Sequence, residues 1–433
     1  MSCVRVEIWN ISVVSIISLL ILSALNPALN VLNSALEDSG ISAKLGYLIS
    51  SLFFLTTIPG SLSVPLLRRY LGYKSLIVAT TFLHSGLYVG MIVLKEYAVM
   101  VGVVITGLAD GVVQVVCQDY VTSISRIENI ERNLSYFLLV TNLSGVVGSV
   151  INIACLDDSG SLDTTTRIRI YGTCVGVTVL ASLLGLFLLR RIIAQPVTEE
   201  YSVSSRLVDS FRSIEMTDRR SFRVRLACLC REPAALDLLL TNAVVGLLFS
   251  YTISFVTAVN NTYHDVSLIP KVGLISGVFT VVASASFYKM VQVFSYRTMV
   301  HLFTWLNYVW LFLLLAVFPG DSFQSEFISQ APIVPAGNWV VYVIALLSGL
   351  SITYTLVLSI VTVGRIAGCN QVMHGMKPDV AFALQNVVFS CSFAVFNAIT
   401  PYVSLYVLVL ITFGGLLVQY YCYLNNLLHY MNN

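Results

Sequence analysis

Twelve stretches of about 20 or more mostly apolar residues dominate this chain of 433. A helix needs about 20 such residues to cross the ~30 Å hydrocarbon layer of a bilayer. The stretches run over 9–36, 44–67, 75–94, 98–124, 134–154 and 168–189, then 236–258, 268–288, 298–318, 338–361, 379–399 and 402–423. Their apolar residues are continuous and do not alternate with polar ones, which excludes membrane-spanning strands. Mean hydropathy is +0.85. Only 11% of residues are charged, too few to coat a water-soluble protein of this size. Nine cysteines are too sparse for a disulfide scaffold. A net charge of +2, with no basic domain, speaks against nucleic acid as a partner. The expected class is an all-α polytopic membrane protein, in the plasma membrane or an internal organelle membrane. The first stretch is too long for a signal peptide and reads as a retained helix.

Cytoplasmic loops carry the excess of Lys and Arg. With the N-terminus inside, 19 basic residues face the cytoplasm and five (Lys44, Lys95, Arg167, Arg169, Lys271) face out. Nine of the 19 lie in the long loop; without them the ratio is 10 to 5, with the same sign. Twelve spans then place both termini in the cytoplasm. The loop 190–235 falls between six spans and six spans. This layout is expected of a two-bundle transporter, with bundles 1–189 and 236–433. An internal echo agrees: Leu71-Gly72-Tyr73-Lys74-Ser75 follows the second span and Phe294-Ser295-Tyr296-Arg297-Thr298 follows the eighth. Within the loop, Leu207, Phe211 and Ile214 have the spacing of a surface amphipathic helix, which a solvated tether would also accommodate.

Polar groups inside a bilayer are costly and face a cavity or a partner helix. On the fourth span Asp110, Gln114 and Gln118 share one face, with Asp119 toward the cytoplasmic end. No Lys or Arg lies at the depth of Asp110. Asp110 therefore reads as a proton, cation or solute site, or as a protonated Asp bonded to a neighbouring helix. Asp119 reads as a rim residue within reach of Arg68, Arg69 or Arg126, together a candidate cytoplasmic gate. On the first span Asn26, Asn30 and Asn33 share a face, with Pro27 expected to kink it. They read as cavity lining, or as interhelical hydrogen bonds. Asn386 and Asn397 on the eleventh span read as packing residues. Recurrent glycine pairs such as Gly107/Gly111 and Gly273/Gly277 let helices approach closely.

No phosphate-cradling Gly-Lys-Ser/Thr loop, His-Glu-x-x-His or paired Cys-x-x-Cys occurs, so no nucleotide-driven pump, metal or cofactor is expected. No enzyme chemistry is expected either.

Residues 22–124 resemble the ion-channel-regulatory family named for the uncoordinated-ninety-three worm protein, a branch of the major facilitator superfamily. The resemblance is carried by Leu32-Asn33-Ser34-Ala35-Leu36-Glu37-Asp38-Ser39-Gly40, by Pro65-Leu66-Leu67-Arg68-Arg69-Tyr70-Leu71-Gly72-Tyr73-Lys74, and by Gln118-Asp119-Tyr120-Val121-Thr122. Ala381-Phe382-Ala383 and Ser404-Leu405-Tyr406-Val407-Leu408 continue it. It implies either transport of a small molecule or ion, or partnership with a channel as a non-transporting subunit. In the superfamily the first, fourth, seventh and tenth helices line a central cavity. That adds Tyr251 and Ser254, and Ser351 and Tyr354, as implied lining residues. The chain is also similar to equilibrative nucleoside transporters in its Asn-rich first span and Asn242. That family's eighth helix carries an Asp and an Arg, whereas 279–288 carries neither.

Overall fold

Helices account for nearly all of the regular structure, as unbroken apolar runs require when every backbone polar group must be satisfied internally. The computed structural model describes residues 3–37, 43–125, 129–156, 164–189, 233–263, 268–323, 337–368 and 378–427. The helices are α1 (Cys3–Asn30), α2 (Leu32–Glu37), α3 (Ala43–Leu83), α4 (Ser85–Val93), α5 (Glu96–Ile124), α6 (Ile130–Asn142), α7 (Ser144–Cys155) and α8 (Thr164–Leu188). Then follow α9 (Pro233–Tyr263), α10 (Leu268–Val293), α11 (Tyr296–Val317), α12 (Asn338–Gly368), α13 (Pro378–Ile399) and α14 (Leu405–Cys422). The expected amphipathic segment around Phe211 and the rest of 190–232 lie outside the described residues.

Among the described residues, eleven helical segments are long and apolar enough to cross a membrane. One of them, Leu45–Val93, is 49 residues long and covers the second and third apolar stretches. It turns at Gly72, whose φ of 68° and ψ of 167° are open to glycine but costly for a residue with a Cβ. The third stretch is interrupted again at His84, between α3 and α4. There the Leu87 amide donates to Thr106 Oγ1 at 2.8 Å, so a side chain of α5 satisfies a donor released by the break. The fifth stretch breaks at Leu143, and the first at Val31. Pro27, expected to kink the first span, lies inside α1, and the Val31 amide bonds its carbonyl at 3.2 Å.

Backbones meet closely where glycines face a neighbour. A Cβ on Gly107 would run into Thr56 and the Phe53 carbonyl, and one on Gly111 into the Thr57 carbonyl. These two glycines therefore let α5 lie directly against α3.

Buried side chains form three clusters. One joins α1, α3, α5 and α6 to α11, α12 and α13, and includes Ile17, Tyr120, Phe137, Phe303, Val361 and Phe382. It sits at the end of the bundle where α3 carries Arg68 and Gly72. At the opposite end the helices before residue 190 and those after 232 keep largely separate clusters, around Phe53 and Tyr88 in one and around Tyr251 and Trp310 in the other. Phe54 and Phe393 meet across that divide with ring centroids 3.7 Å apart.

Candidate functional site

A central cavity of about 290 Å³ lies between the earlier and later helices. The wall from the earlier helices sets Asn26 of α1, Asp110, Gln114 and Gln118 of α5, and Asn142 of α6 among apolar residues such as Leu25, Phe53, Phe54 and Phe137. The facing wall mixes hydroxyls and amides (Thr252, Thr280, Thr353, Gln385, Asn386) with the rings of Phe249, Phe389 and Phe393. Both walls thus offer hydrogen bonds within a largely apolar lining.

The polar stripe of α5 points inward as a unit. Asp110 is 6% exposed. Its Oδ1 lies 3.2 Å from His84 Nε2 and 3.5 Å from Gln114 Nε2. His84 is fully buried, and its Nδ1 lies 2.8 Å from the Thr80 carbonyl. The expectation of a carboxylate lacking a cationic partner of Lys or Arg type overlooked this histidine. Sequence distance hides the pair, which are 26 residues apart on different spans.

Asn26 lines the cavity and donates to Ser144 Oγ at 3.3 Å. The side chains of Asn30 and Asn33 lie outside the described residues, as does Arg126. The implied residues of the seventh and tenth spans stand elsewhere. Tyr251 is buried against Trp310 and Phe396, and its hydroxyl pairs with Thr412 at 3.1 Å. Ser254 is buried, and Ser351 Oγ donates to the Ser348 carbonyl at 3.4 Å. Tyr354 stacks on Phe303 and pairs with Ser286 at 2.7 Å. The cavity takes Phe249, Thr252, Phe255 and Val256 from α9, and Ser348, Gly349, Ile352 and Thr353 from α12. A one-residue step turns a helix position by about 100°, enough to exchange a lining side chain for a packed one. Asn242 is likewise packed, bonded to the Leu238 carbonyl and to Ser359. Asn386, read from sequence as packing, lines the cavity and donates to Ser61 Oγ of α3 at 2.8 Å.

Below the cavity, Arg68 bonds Asp119 at 2.6 Å and Asp379 of α13 at 3.3 Å. Asp119 also accepts from the Tyr73 hydroxyl at 2.8 Å and from Ser123 at 3.2 Å. Arg68 stacks on the Tyr73 ring, 4.8 Å from its centroid. Arg69 is exposed. The echo residue Tyr296 repeats the role of Tyr73, donating to Glu131 of α6 at 2.7 Å. Both echo tyrosines thus bond a carboxylate at this end, one within the earlier helices and one across to the later ones.

Solved structures of similar shape include carriers. The chain aligns with the E. coli fucose:proton symporter FucP over 96% of its own length and 98% of that chain, with a TM-score of 0.61 and 14% identity. It aligns with the proton:xylose symporter XylE, solved with 6-bromo-6-deoxy-D-glucose, over 98% and 97%, with a TM-score of 0.68 and 11% identity. With the nucleoside transporter NupG the values are 96% and 99%, 0.60 and 13%. At these identities the likeness establishes the fold, that of the major facilitator superfamily. No curated protein matches the chain by sequence. Residues 37–424 match the family model described as ion channel regulatory protein UNC-93. The match spans most of the chain, so this multi-pass membrane protein belongs to the UNC-93 family, on a major facilitator fold.

Proposed function

We propose that this protein is a carrier that moves a small polar solute across its membrane by alternating access. The observation that carries the reading is the central cavity, with polar groups on facing walls from helices before 190 and after 232. In this reading 1–189 and 236–433 are two six-span bundles joined by the cytoplasmic loop 190–235, and they rock about the cavity. The turn at Gly72 supports counting Leu45–Val93 as two spans, which makes twelve and returns both termini to the cytoplasm. The Lys and Arg distribution supports the same orientation. The shared apolar cluster and the Arg68–Asp119–Asp379 link support a conformation closed on the cytoplasmic side. Opening that side would separate Arg68 from Asp379 while Arg68 and Asp119 stay together, since these two belong to one bundle. Asp110, Gln114 and Asn26, with Thr252 and Asn386 opposite, are the proposed solute contacts.

Purified protein in proteoliposomes, screened against neutral polar solutes at several pH values, tests this. Uptake of at least one solute is expected, lowered at least several-fold by Asp110→Asn. An Asp110→Asn variant with unaltered uptake and pH response would remove Asp110 from the site. A second reading follows from the family's description: a non-transporting subunit that regulates an ion channel. Stable co-purification with a channel, and no flux of any solute by the isolated protein, would favour it.

A further inference from the structure

His84 and Asp110 meet in a geometry that restricts where hydrogens can lie. His84 Nδ1 faces the backbone carbonyl of Thr80 at 2.8 Å. A carbonyl only accepts, so Nδ1 carries a hydrogen and donates it. That leaves Nε2 facing Asp110 Oδ1 at 3.2 Å. A bare imidazole nitrogen and a bare carboxylate oxygen are both acceptors and repel at this distance. One proton must therefore lie between them. Whether it belongs to an imidazolium or to a carboxylic acid, the pair as a whole is neutral. Removing it leaves a net negative charge and two opposed lone pairs in a buried site, which is costly.

We propose that His84 and Asp110 form a single-proton binding site on the wall of the central cavity, with the Thr80 carbonyl holding the imidazole in its one useful orientation. His84 is sealed off, whereas Asp110 and Gln114 line the cavity. The proton therefore leaves from the Asp110 side, to water or to a solute group in the cavity. Nothing is oxidised or reduced; the pair alternates between one proton and none. Among the described residues, titratable groups in electrostatic reach of Asp110 include Tyr88 of α4 and Cys117 of α5, with Tyr171 and Cys174 of α8 behind Tyr88. None of these four is a cation that could replace the proton. Gln114 Nε2 already offers Oδ1 a neutral donor at 3.5 Å, so a solute links its occupancy to the proton by favouring either the bare or the protonated carboxyl further. The site rests on geometry alone; only its use to couple transport rests on the carrier reading.

The test is pH-difference infrared spectroscopy on the purified full-length protein, with histidine rings isotopically labelled. In the wild type, one carboxyl band and one imidazole band should change together at one midpoint. Asp110→Asn should delete the carboxyl change, and Asp110→Glu should displace its frequency. His84→Gln should move the carboxyl midpoint by about tenfold or more in proton concentration. Wild-type protein in which no carboxyl band titrates together with an imidazole band would overturn the proposal without any variant. So would a His84→Gln protein whose carboxyl titration matches wild type. Failure of the carrier reading would look different: no solute flux in proteoliposomes while the paired titration persists.

Discussion

Two carboxylates nine residues apart on α5 are both buried, yet their surroundings differ in kind. Asp119, at the Arg68 end, is fixed by a guanidinium that stays charged, a phenol and a serine hydroxyl. Every donor around it is fully supplied with hydrogen, so the residue is a charged anchor in a link between helices. Asp110, at the cavity, is faced by an imidazole whose other nitrogen is already committed to a carbonyl. Gln114 Nε2 reaches the same oxygen at 3.5 Å, but the line between His84 Nε2 and Oδ1 lacks a hydrogen unless a proton is bound. The partner therefore decides what a buried carboxylate does. Arg68 makes a clamp, and His84 makes the proposed exchangeable site.

The comparison can be broken at its root through Gly111, which lies between the two carboxylates and holds α5 against the Thr57 carbonyl. Gly111→Val should push α3 away and displace both pairs at once. Loss of the monodisperse peak in size-exclusion chromatography is expected, the largest effect of the series. Arg68→Ala removes only the clamp's cation and leaves Asp119 buried without it. Because Arg68 is partly exposed, the cost should fall below the about 3–5 kcal/mol of a fully buried pair broken from one side, to be read as a lower unfolding midpoint in detergent. A variant as stable as wild type would show that the link contributes nothing. Tyr73→Phe takes one hydrogen bond from the same charge, worth about 1.5–3 kcal/mol. Thermal unfolding should rank it between Arg68→Ala and wild type. Gln114→Ala deletes a 3.5 Å contact at the cavity wall. Stability should change by less than ~1 kcal/mol. Solute affinity, measured by uptake, should fall more visibly than stability, which would assign Gln114 to the cavity rather than to packing.

The site was legible from the sequence in one respect and closed in another. Asp110, Gln114 and Gln118 are three polar residues at a four-residue spacing in an apolar span, and that pattern puts them on one face whatever surrounds them. All three line the cavity. α12 carries a hydroxyl stripe, Ser348, Ser351, Thr355, Ser359 and Thr362, but Thr355 and Ser359 turn to Asn307 and Asn242 instead of the cavity, and the choice between Tyr251 and Thr252, or between Tyr354 and Thr353, depended on how each helix is rotated. Hydroxyls can bond carbonyls of their own helix, as Ser351 and Thr355 do, so they say little about which way the helix is rotated. Tyr251 and Tyr354 turned toward Trp310 and Phe303, where ring stacking and hydroxyl partners were available. Asn386 was hidden for the opposite reason: a lone amide looks like packing until Ser61 of α3 is known to stand opposite it.

The sequence by itself determined that the chain lives in a membrane, that its spans are helical and that α5 carries the polar stripe, because hydropathy and helical period are properties of contiguous residues. The turn at Gly72 was also marked there, by a glycine between two apolar runs. Only the tertiary structure decided the partners. His84 meets Asp110 because a break between α3 and α4, capped by Thr106, sets the imidazole opposite the carboxyl. Arg68 meets Asp379 because helices more than 300 residues apart are neighbours. Such pairings rest on where helices pack and how far each is rotated. Those depend on all the neighbours together, and no local stretch of sequence encodes them.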